Sequence, residues 1–242
     1  MIMDNFTLLN KTLEPFSVEV SEKQFEQFEL YRDLLKEWNT RMNLTAITDD
    51  EEIIVKHFAD SLTIVPYIEK YGPKCIADVG TGAGFPGIPI KIMFPEIEVI
   101  LIDSLEKRLN FLQEVIAQLG LKGISTVHSR AEDIGRNSKY RDRIDFVTAR
   151  AVAAMPVLLE YCMPLVKVGG YFVPMKGYKD DGNYSNALKL LSGKQLEKNS
   201  FLLKIDDISE EQASRNIYVF QKTAPTKGTY PRKAGTPSKQ PL

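Results

Sequence analysis

The residues best placed to do chemistry are concentrated in residues 75–89, CIADVGTGAGFPGIP. Ile76, Ala77 and Val79 form a short apolar run of the kind that becomes a buried parallel strand, and Asp78 interrupts it near its end. Gly80, Gly82, Gly84 and Gly87 follow at a spacing that permits left-handed backbone and lets bare peptide approach a ligand. Pro86 and Pro89 then suit the first turn of a helix. Strand, glycine turn and helix start together predict a nucleotide-binding crevice. Residues 82–87 also satisfy the dinucleotide pattern G-x-G-x-x-G, which on its own has low specificity. Asp78 shifts the reading. A carboxylate at the strand's carboxyl end repels a pyrophosphate and attracts a ligand that carries an ammonium and a sulfonium. That chemistry favours S-adenosylmethionine over NAD, the bland alternative being a glycine turn that binds nothing.

The elements that must hold this crevice can be read outward from it. Strands are expected at 75–79, 99–103, 124–128, 144–148, 171–175, 201–205 and 216–221, with helical patterns between them, which is the signature of a parallel sheet. The resulting fold is α/β, a doubly wound and mostly parallel seven-stranded sheet. Asp103, 21 residues beyond Gly82 at the end of the second strand, suits ribose hydroxyls, with Ser104 after it as an alternative helix cap. Leu105, Leu109, Leu112, Val115, Ile116 and Leu119 mark one helix stopped at Gly120. After the third strand the pair Glu132-Asp133, with backbone groups, is placed to hold an adenine ring. Met155, Leu158, Leu159, Cys162, Leu165 and Val166 mark a helix closed by Gly169-Gly170, and another helix is expected near 183–198.

The 70 residues at the start form an acidic helical segment with 7 Lys+Arg against 14 Asp+Glu. Ser21 with Gln24 and Thr48 with Glu51 are capping-box signatures. Behind the first, Phe25, Phe28, Tyr31, Leu34, Leu35 and Trp38 recur at helical spacing; behind the second, Ile54, Val55, Phe58 and Leu62 do so until Pro66. These side chains predict a helical cap over 1–70 packed on a ligand-binding domain over 71–221. His57, beside Asp60, reads as a hydrogen-bonded helix residue. The connector around Arg41, Asn43 and Thr45 can reach the cleft.

The remaining residues reverse the charge, with 24 Lys+Arg against 18 Asp+Glu, and the tail 222–242 has five cations and no acid. That asymmetry points to a polyanion, or else to a solvated basic tail. At 43% hydrophobic and 26% charged the composition is that of an ordinary globular protein. No run approaches the ~18 apolar residues of a membrane helix, and no signal segment is visible. Cys75 and Cys162 each sit in an apolar run and are expected as free buried thiols in a cytoplasmic protein. Two isolated histidines without CxxC argue against zinc.

Methyl transfer from a sulfonium is an in-line displacement in which positioning does much of the work. Methylation of an exocyclic amine calls for Asn or Asp, two prolines and an aromatic after the fourth strand, where this chain has Thr148-Ala149-Arg150-Ala151. Methylation at carbon five of a pyrimidine needs a thiolate, and neither cysteine is placed for it. A target with a ready lone pair and no proton to lose, such as guanine N7, fits best, and no catalytic acid or base is then expected.

The run DVGTGAGFPGIPIKI resembles the first motif of the glucose-inhibited division protein B family, the small-subunit ribosomal RNA methyltransferases G. Asn43-Leu44-Thr45, residues 57–62 (HFADSL), Lys107-Arg108 with Phe111-Leu112, Arg150-Ala151, Lys176-Gly177 and the ending 230–242 resemble it too, in order over nearly the whole chain. Thr81 and Ala149 stand where the family often has serine. The resemblance implies the class I, Rossmann-like methyltransferase fold and N7 methylation of one guanosine in a decoding-region loop of 16S ribosomal RNA. It places S-adenosylmethionine against Gly80 and Phe85, then Asp103, Ser104 and Leu105, then Ala131 and Glu132, with Arg150 as a further contact to a carboxylate or phosphate. Asp78 and Gly82 complete the expected cofactor set. Candidate RNA contacts are Arg41, Lys176, Lys222, Arg232, Lys233 and Lys239, with Tyr230 to stack on a base. A monomer without metal or membrane association, acting on 16S RNA or the small subunit, is the expected form. The rivals are an NAD-dependent oxidoreductase and a non-catalytic S-adenosylmethionine-binding regulator.

Overall fold

The computed structural model describes residues 3–177, 182–203 and 213–242. Its strands are β1 (Cys75–Val79), β2 (Glu98–Asp103), β3 (Ile124–His128), β4 (Ile144–Arg150), β5 (Val166–Gly177), β6 (Gly193–Leu202) and β7 (Ser214–Lys222). They form one sheet in the order β3-β2-β1-β4-β5-β7-β6. Neighbours from β3 to β5 pair in parallel, while β7 runs antiparallel between β5 and β6. Strand order reverses between β1 and β4, and the crevice at such a switch is where open α/β sheets bind ligands. Because β7 is antiparallel, its start lies beside the end of β5, with Arg215 opposite Gly177 and Asn216 opposite Lys176.

Burial of apolar faces explains the layers. Ala77, Val79, Phe146 and Val147 are fully or nearly fully buried, as sheet interiors covered on both faces require. α6 (Gly87–Met93) and α7 (Glu106–Gln118) cover one face together with the N-terminal helices, and α8 (Ala131–Ile134) and α9 (Met155–Cys162) cover the other. The N-terminal helices share one apolar core with α6 and α7. In α2 (Glu22–Asn39) the Ser21–Gln24 capping box is formed, and Phe25, Phe28, Tyr31 and Leu35 are buried. Tyr31 reaches the glycine turn: its hydroxyl donates to the carbonyl of Ala83, and a methyl built on Gly84 would meet that hydroxyl at 2.6 Å. The helical cap therefore braces the ligand loop directly.

Several boundaries differ from expectation for identifiable reasons. The second N-terminal helix is capped by Asp49, whose carboxylate accepts from the Glu52 N–H, rather than by Thr48. It runs through α3 (Asp50–Ile53), a π-helical stretch Ile54–Ala59 and α4 (Asp60–Leu62) before Pro66 starts α5 (Val65–Tyr71). A helix Asn5–Leu13, capped by Asp4, precedes them. The helix expected through Val166 stops at Cys162, since Pro164 cannot continue it, and Val166 opens β5. Gly169-Gly170 lie inside that strand, where a methyl on Gly170 would meet the Asp145 carbonyl at 2.7 Å. The helix expected near 183–198 is only Ser185–Leu190; Gly193–Leu202 is an edge strand. Its Lys194, Glu197 and Lys198 mimic a solvated helix face, and charges of this kind protect sheet edges. The strand expected at 201–205 is thus shifted, and its last two positions lie outside the described residues.

Candidate active site: two cavities that meet at Ala151

Two cavities open at the carboxyl ends of the parallel strands. The first, about 330 Å³, is lined by Gly80 after β1, Asp103 and Ser104 after β2, Ala131 and Glu132 after β3, and Ala151 and Val152 after β4. The second, about 320 Å³, lies at the ends of β4, β5 and the start of β7 and is lined by Lys56, His57, Asp60, Arg150, Lys176 and Arg215. Ala151 lines both. Its φ of +57° is unusual for a residue with a Cβ, so the partition between the cavities is a locally constrained turn.

Glycine backbone and two buried acids, with Arg108 and Arg130 beside them, line the first cavity. Gly80 has φ +72°, and a methyl built on it would meet Val152 Cγ2 at 2.6 Å. Asp103 is 3% exposed; its Oδ2 accepts from the Gly82 N–H and its Oδ1 from the Leu105 N–H, both at 2.9 Å. Those bonds hold the carboxylate at the strand end and leave it lone-pair capacity for hydroxyl groups. The volume falls in the range of small-molecule sites. A glycine cradle, a strand-end acid and a buried Glu132 fit an adenosine-bearing methyl donor.

Asp78 does not line either cavity. It is fully buried below the turn, where Oδ2 accepts from Thr81 Oγ1 at 2.7 Å and the Gly87 N–H at 2.9 Å. Oδ1 has no partner among the described residues, and burial raises the carboxyl's pKa to about 6. The expected attraction to a sulfonium is therefore replaced, at this residue, by bracing of the turn. Phe85 is likewise 6% exposed, with His57 stacked at 4.6 Å, Tyr31 at 5.2 Å and the Arg150 guanidinium 5.2 Å from its centroid. Its ring faces are taken. Gly82 contributes its N–H to Asp103, and Leu105 stands exposed beside the first cavity.

Arg150 belongs to the second cavity. Its Nη1 donates to Asp60 Oδ2 at 2.7 Å, and Arg215 Nε donates to Asp60 Oδ1 at 2.8 Å. Asp60, 5% exposed, is thus the hub of two guanidinium groups, a role that sequence reading passed over. The π-helical turn carries Lys56 and His57 and is followed directly by Asp60, which opens α4; such turns recur at functional sites. His57 Nε2 lies 2.8 Å from Thr45 Oγ1, which bears out the hydrogen-bonded reading and brings the connector to the cleft. Burial, then the positive charge of Arg150, lowers its pKa to about 4, so the ring is neutral near pH 7. Arg215 and Lys56 had no pattern in the sequence to reveal them.

The expected RNA contacts divide. Arg41 is exposed and pairs with Glu37 at 2.9 Å, and Lys176 lines the second cavity with its Nζ donating to the Ala153 carbonyl. Lys233 and Lys239 are exposed. Tyr230 is partly buried against the core. Lys222 is a correction: it is 1% exposed, with Nζ donating to Asp142, Thr226 and the carbonyl of Met163, so its ammonium faces the interior. Arg232 is committed to buried Glu160.

Known proteins share both the sequence pattern and the fold of this chain. The family model GidB, rRNA small subunit methyltransferase G, matches residues 24–212. The ribosomal RNA small subunit methyltransferase G of Acetivibrio thermocellus is 53% identical over 237 residues, covering 97% of this chain and 96% of the relative. That of Desulfitobacterium hafniense is 47% identical over 245 residues, covering 100% of each. A putative sarcosine dimethylglycine methyltransferase from Galdieria sulphuraria superposes with a TM-score of 0.53 at 13% identity, covering 66% of this chain and 83% of the other. A SAM dependent methyltransferase from Aquifex aeolicus superposes with a TM-score of 0.50 at 16% identity, covering 76% and 97%. These two establish the class I methyltransferase fold alone. The family model and the relatives, near half identical over almost all of both chains, establish more: this chain belongs to the rRNA small subunit methyltransferase G family.

Proposed function

We propose that the protein methylates N7 of one guanosine in 16S ribosomal RNA, with the cavity after β1–β3 holding S-adenosylmethionine and the cavity after β4, β5 and β7 receiving the nucleotide. The observation that carries this reading is the adjacency of the two cavities across Ala151. Family membership removes the dehydrogenase alternative.

The bound cofactor supplies a methyl group on a sulfonium. Asp103 is placed to accept from ribose hydroxyls, Glu132 and Ala131 to meet the adenine, Ser104 and Leu105 to flank it, and Gly80 to admit the methionine end. Asp78 and Gly82 hold the turn and Asp103 in place. In the second cavity Lys56, Arg150, Lys176 and Arg215 line the walls with one acid, Asp60, a balance that suits phosphate oxygens. A target base enters only after leaving its stack, at a cost of about a few kcal/mol. Ala151 keeps the partition thin enough for the two reactants to meet. Guanine N7 has a lone pair and no proton, so the neutral His57 is read as structural and catalysis as positioning.

Residues 1–70 are read as a cap that braces the glycine turn, and 71–221 as the methyltransferase domain. Arg41, Lys233 and Lys239 extend the cationic surface. We take the working unit to be a cytoplasmic monomer acting on the small subunit; among the described residues no helix is long and apolar enough to cross a membrane. Transfer of labelled methyl to small subunits lacking the modification, followed by mass-spectrometric mapping, tests the whole reading. Label at N7 of a single guanosine is expected. No incorporation at saturating cofactor would leave the chain as a binding protein, and label at another atom would overturn the target.

A further inference from the structure

The basic segment that follows β7 is sewn to the body by cations that point inward. Lys222 binds Asp142 and Thr226 in the interior. Arg141 donates through Nη1 to the carbonyls of Gly135 and Tyr230 at 2.8 Å and through Nη2 to that of Thr226 at 2.7 Å. Arg232 grips Glu160, a fully buried carboxylate on α9, through Nε at 2.9 Å, Nη2 at 2.6 Å and its own backbone N–H at 2.7 Å. Its Nη2 also donates to the Gln240 carbonyl at 2.7 Å, which closes residues 232–240 into a loop. Charge-assisted, multiply bonded contacts of this kind fix geometry strongly.

That loop lies on the first cavity. Gly235 and Ser238 are among its lining residues, with Tyr161 of α9. The Gly235 N–H donates to Glu132 Oε1 at 2.9 Å, so the tail occupies and orients the carboxylate expected at the adenine. Lys233 and Lys239 remain exposed on the same loop. We infer that residues 232–240 form a wall of the S-adenosylmethionine cavity, clamped by Arg232–Glu160, and that cofactor affinity depends on this wall through Gly235 and Ser238. The tail has an inner face for the cofactor and an outer cationic face. This rests on the reading of the first cavity as the cofactor site.

The test measures S-adenosylmethionine binding by calorimetry, and amide exchange over residues 232–240 with and without the cofactor, in the full-length chain. Cofactor slows exchange across that loop in the unaltered protein. Arg232→Met, which releases the clamp, weakens binding at least tenfold. Ser238→Phe intrudes into the cavity from an exposed position without touching the clamp, and also weakens binding at least tenfold while RNA affinity without cofactor changes less than twofold. If Arg232→Met unfolds, Ser238→Phe and the exchange measurement decide. Unchanged exchange together with wild-type affinity in Ser238→Phe overturns the inference while leaving the cavity assignment intact. Absence of binding by the unaltered chain overturns both.

Discussion

The cavity after β1–β3 and the cavity after β4, β5 and β7 have nearly equal volumes and different balances of charge. The first sets two buried acids, Asp103 and Glu132, against two arginines, Arg108 and Arg130, with Asp103 held by two peptide N–H groups and by Arg108 at 3.4 Å. The second has four long cations and one acid, Asp60, to which two of them, Arg150 and Arg215, are bonded. Acids fixed at strand ends suit a small ligand whose hydroxyl and amino groups donate hydrogen bonds. A ring of long cations suits a large anionic partner whose phosphates arrive with some latitude. On our proposal the methyl donor takes the first cavity and the RNA the second.

Arg150→Ala should produce the largest effect. Asp60 keeps Arg215, so the fold survives, while methyl transfer falls at least ~100-fold, or about 3 kcal/mol of transition-state stabilisation. Cofactor affinity should stay within about threefold, because Arg150 lines only the second cavity. Lost cofactor binding with intact RNA binding would move Arg150 to the donor and break the contrast. Asp103→Asn is the mirror experiment. Calorimetry should report ~10–30-fold weaker cofactor binding, about 1.5–2 kcal/mol, the range for a hydrogen bond to a charged group. RNA affinity measured by filter binding should be unchanged; a parallel loss of RNA affinity would mean the cavities are not separate.

Gly80→Ala should weaken cofactor binding roughly tenfold. The left-handed backbone costs a Cβ about 1–2 kcal/mol, and the added methyl displaces Val152 at the partition. Val152→Ala in the same chain should restore part of the loss; no restoration would remove Val152 from the account.

A last effect, on stability rather than on activity or binding, concerns acid. His57 titrates at about 4 in the folded protein against 6.5 ordinarily, chiefly through burial. Its contribution is therefore complete above pH 6.5 and is lost as pH falls toward 4, by up to about 3 kcal/mol. Asp78, raised to about 6 by burial, has the opposite sign: its contribution is present below its ordinary 3.8 and is lost as pH rises through 6. In melts between pH 6.5 and 4, His57→Gln should lose less stability on acidification than the unaltered chain. Identical pH slopes would show that His57 is not held neutral by the fold.

Which features were legible follows from how locally their chemistry is encoded. Gly82 and Asp103 announce themselves by spacing, and their N–H to carboxylate bond is the physical reason the spacing works. The Tyr31 stripe was legible as core, though not as a prop for the glycine turn. Asp60–Arg215 and Glu132–Gly235 join positions 155 and 103 residues apart with no periodic signal, so only the folded chain reveals them. Lys222 misled because a lysine reads the same whether its ammonium meets solvent or, as here, a buried cluster of oxygens. β6 misled because the charges that guard an edge strand resemble a helix surface.

A crystal structure with S-adenosylhomocysteine, the demethylated product of the cofactor, tests the assignment most directly. Its ribose should meet Asp103, its adenine should lie by Ala131 and Glu132, and its sulfur should point past Gly80 toward Ala151, leaving the Arg150 cavity open. Ligand density among Lys56, Arg150 and Arg215, with the Gly80–Asp103 recess empty, would contradict it.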